Sequence, residues 1–252
     1  MPILLKIILA SFLSGVLSLV GGVALLARVE WVRRFSLHLV SFAVGTLFAT
    51  AFLDLLPEAV KLRGESGGQV FLAALGGIFV FFSLERLILQ FHPHHHGEVV
   101  GEHHHPAPLL LQIGDTFHNF IDGVAVAVAF LVNPGLGVLT AVAVAAHELP
   151  QELSDFSVLL HHGWSRAKVL TVNLLSSFAS ILGAILAYSF RANLESILPE
   201  LLGFTAGVFI YIAGSDLIPE VSAKAPREKS THSILLVFLG IVCVGILRHY
   251  LE

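Results

Sequence analysis

The sequence predicts an all-α integral membrane protein of eight transmembrane helices, and three observations carry that prediction. The 252 residues are 56% hydrophobic, with a mean hydropathy of +0.85. Only 13% are charged, against roughly 25% in a soluble domain, so one aqueous core could not hide this much apolar surface. The apolar residues also fall into runs near the about 20 residues that a hydrocarbon layer requires per helix.

Breaks at 28–34, 61–68, 92–108, 133–135, 161–168, 191–199 and 221–230 divide the chain. They leave spans at about 3–27, 36–61, 70–91, 109–132, 136–160, 167–190, 199–221 and 232–251. The whole chain, 1–252, is therefore expected to be one transmembrane unit. Net charge is −4, which argues against a nucleic-acid partner.

The first span is interrupted only by Lys6 and a few small polar residues. It exceeds the about 7–15 residues of a signal-peptide core, so it is expected to be a membrane helix and not a cleaved leader. The second and seventh spans repeat one another. One reads Gly45 … Asp54-Leu55-Leu56-Pro57-Glu58, the other Gly207 … Asp216-Leu217-Ile218-Pro219-Glu220. An odd number of crossings separates them, so they run in opposite directions, the signature of an inverted-topology repeat. The third span ends near Glu85 and Arg86, which are assigned a local or interfacial role. A loop at about 92–107 follows, with seven histidines amid Pro, Gly and charge. It is expected to be an irregular segment that captures metal. The single cysteine, Cys243, lies in the apolar eighth span and is expected to be packed there; one cysteine excludes a disulfide framework or a thiolate module.

Lys and Arg set the orientation. Connections 1–2, 3–4, 5–6 and 7–8 share one side, with Arg28, Arg33, Arg34, Arg86, Arg166, Lys168, Lys224, Arg227 and Lys229. The other side has Lys6, Lys61, Arg63, Arg191 and Arg248. The richer side is assigned to the cytoplasm, which puts both termini outside it.

The acids inside the spans point to function. Asp54, Asp122, Glu148, Glu152 and Asp216 lie deep by position, and no Lys or Arg is expected at matching depth. Unpaired, five such groups would cost on the order of 15 kcal/mol. Protonation, water or a bound cation must compensate.

In the fourth span Asp115, His118, Asn119 and Asp122 are spaced i, i+3, i+4, i+7, one stripe of a helix. In the fifth, His147 stacks with Gln151, and Glu148 with Glu152 and Asp155. A turn of Asn133-Pro134-Gly135 makes these spans antiparallel neighbours. Imidazole and carboxylate from facing helices form metal sites in bundles, and this donor set suits zinc, iron and manganese. Amides such as Asn119 and Gln151 are weaker donors. Pro150, Pro57 and Pro219 each free a backbone carbonyl within a span. A metalloprotease reading of His147-Glu148 fails, because H-E-x-x-H needs histidine where Gln151 stands. No enzyme activity is expected.

These strings resemble the ZIP (Zrt/Irt-like) divalent metal-ion transporters. His118-Asn119-Phe120-Ile121-Asp122-Gly123 is similar to their HNFxDG signature. His147, Glu148, Pro150, Glu152 and Asp155 match the HExPHExGD motif of the large subfamily, with Gln151 for the second histidine and Ser154 for the glycine. The seventh span resembles a VDMLPE segment and the second an HLLPE segment, with Asp54 where histidine is usual.

The resemblance implies a 3+2+3 bundle in which helices 1–3 and 6–8 form the inverted repeat around helices 4 and 5. It implies transport of zinc, or of iron, manganese or cadmium, into the cytoplasm across the cell membrane. It also implies a homodimer, no prosthetic group, and bundles that slide against each other. His118, Asp122, His147 and Gln151 would hold one metal; Asn119, Asp122, Glu148 and Gln151 a second. A neutral amide bridges cations poorly, so the second metal is weak or Glu152 or Asp155 takes over. On the expected route the ion enters past Asp216 and Asp54, crosses the centre, and leaves past Asp155 and the loop histidines.

Overall fold

The computed structural model describes residues 2–27, 29–90, 108–224 and 230–251. The histidine-rich loop, 92–107, lies outside the described residues. Eight long helical rods account for nearly all of the rest: α1 (Ile3–Ala27), α2 (29–63), α3 (Gly68–Gln90), α4 (Pro108–Val132), α5 (Pro134–His161), α6 (Arg166–Ser189), α7 (198–224) and α8 (Ser230–Leu251). Every predicted span is found. α2 begins at Val29, earlier than its span, because Arg33 and Arg34 end an apolar run without ending a helix.

Seven rods contain stretches apolar and long enough to cross a membrane. The eighth, α5, has 28 residues and rises about 42 Å at 1.5 Å per residue; its acids set it apart. Large apolar side chains such as Leu72, Phe79, Leu175, Ile234 and Phe238 are exposed, as expected where lipid is the solvent. Cys243 is exposed too, which corrects the packed position expected of it: it belongs to the outward face of α8.

Local chemistry explains the joints. Asn133 caps α5, its side chain accepting from the amides of Gly135 at 2.7 Å and Leu136 at 3.4 Å, and Pro134 occupies the first turn. Asn133 satisfies amides that a helix start leaves open, and Pro134 has no amide hydrogen to leave unpaired there. Gly163, at φ +80°, makes the turn into α6, a backbone conformation glycine adopts without strain. Ser165 then caps α6.

α2 and α7 are each broken at the same register. Thr50–Leu55 and Ile212–Leu217 are π-helical, between α-helical Val29–Ala49 and Leu56–Arg63 in one rod, and Leu198–Tyr211 and Ile218–Lys224 in the other. Such segments arise where one extra residue is held in a turn, often at functional sites.

Packing sorts the rods into two groups. α1, α4, α5 and α6 pack together through the pairs α1–α5, α1–α6, α4–α5 and α4–α6. α2 pairs with α8 and α3 with α7, and α2 and α7 join these pairs. The 3+2+3 description follows chain order, and these contacts cut across it, because α1 and α6 side with the central pair. Exchanging α1 with α6, α2 with α7, α3 with α8 and α4 with α5 maps this pattern onto itself, as a two-fold repeat requires.

Glycine contacts repeat the same exchange. A Cβ on Gly45 would lie 2.1 Å from the Val237 carbonyl oxygen, and one on Gly207 1.9 Å from that of Ala74. A Cβ on Gly240 would meet the Phe42 oxygen at 2.4 Å, and one on Gly77 the Phe204 oxygen at 2.2 Å. Backbone thus touches backbone in α2–α8 and again in α3–α7.

Candidate metal centre

The stripe on α4 faces α5. His118, Asn119, Asp122, His147, Glu148 and Glu152 are all buried. His118 Nε2 lies 3.1 Å from His147 Nε2, 3.6 Å from Asp122 Oδ2 and 3.7 Å from Glu148 Oε1. His147 Nε2 is 3.1 Å from Asp122 Oδ2. One atom from each of these four side chains lies within 4.8 Å of all the others. A tetrahedral zinc with bonds of about 2.0 Å needs donor–donor edges of roughly 3.3 Å, and the measured edges bracket that value.

The surroundings orient the donors. His147 Nδ1 lies 3.0 Å from the Ala143 carbonyl, so the ring donates its Nδ1 hydrogen there and turns the Nε2 lone pair to the cluster. Phe81 meets the His118 ring edge-on at 5.5 Å, and Phe209 meets His147 at 5.9 Å. Both oxygens of Asp122, of Glu148 and of Glu152 are buried without a hydrogen-bond partner. Buried carboxylates without donors are costly, and a dication would satisfy them together.

Asp115, Glu148 and Glu152 form a second cluster of converging oxygens, within 4.8 Å of one another. Glu148 belongs to both. Asp115 is held by Ser176 Oγ at 2.5 Å, Gln112 Nε2 at 3.1 Å and Asn119 Nδ2 at 3.1 Å. Asn119 thus spends its amide nitrogen on Asp115, leaving its oxygen as the donor a metal could use. Gln151 is half-buried and lines the adjoining cavity with Asp155.

That cavity, about 340 Å³, leads from His118 and Asp115 past Gln151, Asp155, Glu85 and Asp216 to Glu220. It opens at the ends of α3, α5 and α7 and the start of α4, the side of connections 3–4, 5–6 and 7–8. Glu85 accepts a hydrogen bond from Tyr211 Oη and lines the cavity, so the local or interfacial role expected of it is too narrow. The signal for Asp115 was its place in the i, i+3, i+4, i+7 stripe; none marked Ser176, Tyr211 or Glu85.

The expected route needs correction in two places. Asp216 shares the cavity with Asp155 and does not accompany Asp54. Asp54 lies at the opposite end, in a separate cavity of about 160 Å³ with Lys61, Asn133 and Leu251. There Arg248 Nε stands 3.4 Å from Asp54 Oδ1. A cation at matching depth therefore exists, although none was expected, because Arg248 reaches back from the end of α8.

A polytopic helical membrane protein with an intramembrane imidazole–carboxylate cluster and a cavity to one face has the structural attributes of an ion carrier. The family described as ZIP Zinc transporter matches residues 3–109 and 95–248, and the chain belongs to it. It is 31% identical over 228 residues to a "Zinc transporter ZIP13" of Pongo abelii, covering 85% of this chain and 67% of that protein. Against "Zinc transporter foi" of Drosophila melanogaster it is 39% identical over 139 residues, 55% of this chain and 19% of that protein. Against "Metal cation symporter ZIP14" of Xenopus tropicalis it is 27% identical over 276 residues, covering 83% of this chain and 59% of that protein. The family consists of transporters, in keeping with the expectation of no enzyme activity.

Proposed function

We propose that this chain carries zinc across the cell membrane into the cytoplasm, through a centre of His118, Asp122, His147 and Glu148. One observation carries the reading: two imidazoles and two carboxylates from antiparallel helices converge at zinc-like edge lengths, at the head of an open cavity. The names of the relatives support zinc as the cargo. A second ion is held by Asp115, Glu148 and Glu152, with Asn119 and Gln151 as weaker donors; Glu152 supplies the charge that Gln151 lacks.

In this reading the Lys- and Arg-rich side is cytoplasmic and both termini are external. Asp54 lies on the outer part of the path. Asp155 and Asp216 lie on the inner part, leading to the histidines of 92–107. The group α1, α4, α5 and α6 slides against α2, α3, α7 and α8 to exchange access, and two copies form a homodimer. The test is zinc uptake into proteoliposomes, with iron, manganese and cadmium as competitors. Saturable uptake that disappears in His118→Ala/His147→Ala supports the proposal. Uptake unchanged by that double substitution overturns it.

A further inference from the structure

The geometry points to Arg248 as a resident cation that competes with the incoming metal for Asp54 and so sets the apparent affinity for external metal. This inference rests on the transport reading above and adds a residue to it.

Arg248 grips α2 at two neighbouring points. Its Nη1 donates to the Leu53 carbonyl at 2.6 Å, and its Nε stands 3.4 Å from Asp54 Oδ1. The Leu53 carbonyl lies in the π-helical turn just ahead of Pro57, which has no N–H to donate to that turn. The Asp54 side chain is 2% exposed, whereas that of Arg248 is 37% exposed. The carboxylate is inside and its cation reaches it from the mouth. A guanidinium keeps its charge at any physiological pH and matches carbonyl and carboxylate acceptors in one plane. A dication arriving at this mouth therefore meets an acid already neutralised, and must displace the guanidinium to bind.

The internal repeat supplies a comparison within the same molecule. The glycine contacts match Gly45 with Gly207 and Gly77 with Gly240. In that register Asp54 corresponds to Asp216. Glu85, eight residues after Gly77, corresponds to Arg248, eight residues after Gly240. At the wide cavity the pair is two acids, Glu85 and Asp216, and none of the described lining residues is Lys or Arg. At the narrow one it is an acid and an arginine. Charge reversal at this equivalent position is one difference between the two mouths of a repeated frame; Lys61 at the narrow mouth, paired with Glu58 at 3.2 Å, is another. Below the Arg248 mouth, Leu136 and Leu139 line the way and are buried, as is Ala143 one turn past Leu139 towards His147. Thr50 Oγ1, a turn deeper on α2 than Asp54, is buried without a hydrogen-bond partner, a polar foothold for an ion that has passed.

The experiment measures initial zinc uptake into proteoliposomes against external zinc for the full chain and four variants. Arg248→Gln is expected to lower KM several-fold, Asp54→Asn to raise it, and Arg248→Lys to stay near wild type. In the Asp54→Asn background, Arg248→Gln should change KM little, since coupled residues are not additive. A purely structural Arg248 would lower maximal flux without lowering KM, and an unchanged or raised KM in Arg248→Gln overturns the inference. No wild-type uptake would instead refute the transport reading. Should Arg248→Gln fail to fold, Leu139→Cys in a Cys243→Ala background gives a second measure. A membrane-impermeant thiol reagent added outside should label it faster once Asp54→Asn releases the arginine; equal rates overturn the inference.

Discussion

Ser176 on α6 donates its hydroxyl hydrogen to Asp115 Oδ2 on α4, at 2.5 Å. The bond fixes one acid of the second cluster from a helix that contributes no charged donor of its own. Hydrogen bonds to charged groups contribute about 1.5–3 kcal/mol. Ser176→Ala is therefore expected to weaken zinc binding by about tenfold or more, a factor that 1.4 kcal/mol supplies. Calorimetric titration of the purified protein would measure it, and an unchanged isotherm would remove Asp115 from the centre.

Glu152 tests the second ion by count. Its two oxygens have no partner and converge with those of Asp115 and Glu148. Glu152→Gln should reduce bound zinc from two ions to one per chain while sparing the tighter site. Elemental analysis after equilibrium dialysis reads the number directly. A wild-type count of one would confine metal to the histidine cluster.

Proton competition sets the pH dependence. Metal binds the neutral imidazoles of His118 and His147, and protonation removes the lone pair. Affinity should therefore fall as the solution is made more acidic. Binding measured over a series of pH values should show the decline, and a flat profile would remove the imidazoles from the centre.

Close packing of α4 on α6 makes a stability prediction. A Cβ on Gly123 would lie 1.8 Å from the Ser180 carbonyl oxygen. Overpacking typically costs about 1–3 kcal/mol, so Gly123→Ala should lower the Tm in detergent. Gly76, with nothing within 4 Å of its added Cβ, is the control, and Gly76→Ala should leave the Tm unchanged.

The histidine-rich loop makes the last prediction. Deleting 92–105 is expected to leave zinc flux largely intact, because the histidines that converge on α4 and α5 lie elsewhere. Complete loss would show that the loop loads the path.

What the sequence reveals follows from the range of the interaction. Helix count, the stripe on α4 and the motif on α5 depend on spacing within one helix, so they can be read from the string. The repeat is legible because its shared residues are the rare polar ones in apolar segments. Asp54 and Arg248 are 195 residues apart, and nothing local announces their contact. Asp216 and Asp54 line separate cavities because repeat-related residues in inverted helices fall at opposite ends, a consequence of the symmetry that the shared motif alone conceals. Ser176 is one of several serines on α6, and only the fold selects it.

The wide turns also set where the ends of their rods point. Thr50–Leu55 and Ile212–Leu217 sit at the same step of α2 and α7, although an arginine stands at one mouth and a glutamate at the other. An extra residue held in one turn shifts every later side chain by one place in register. The faces carrying Pro57-Glu58 and Pro219-Glu220 are therefore turned away from those that an unbroken helix would present.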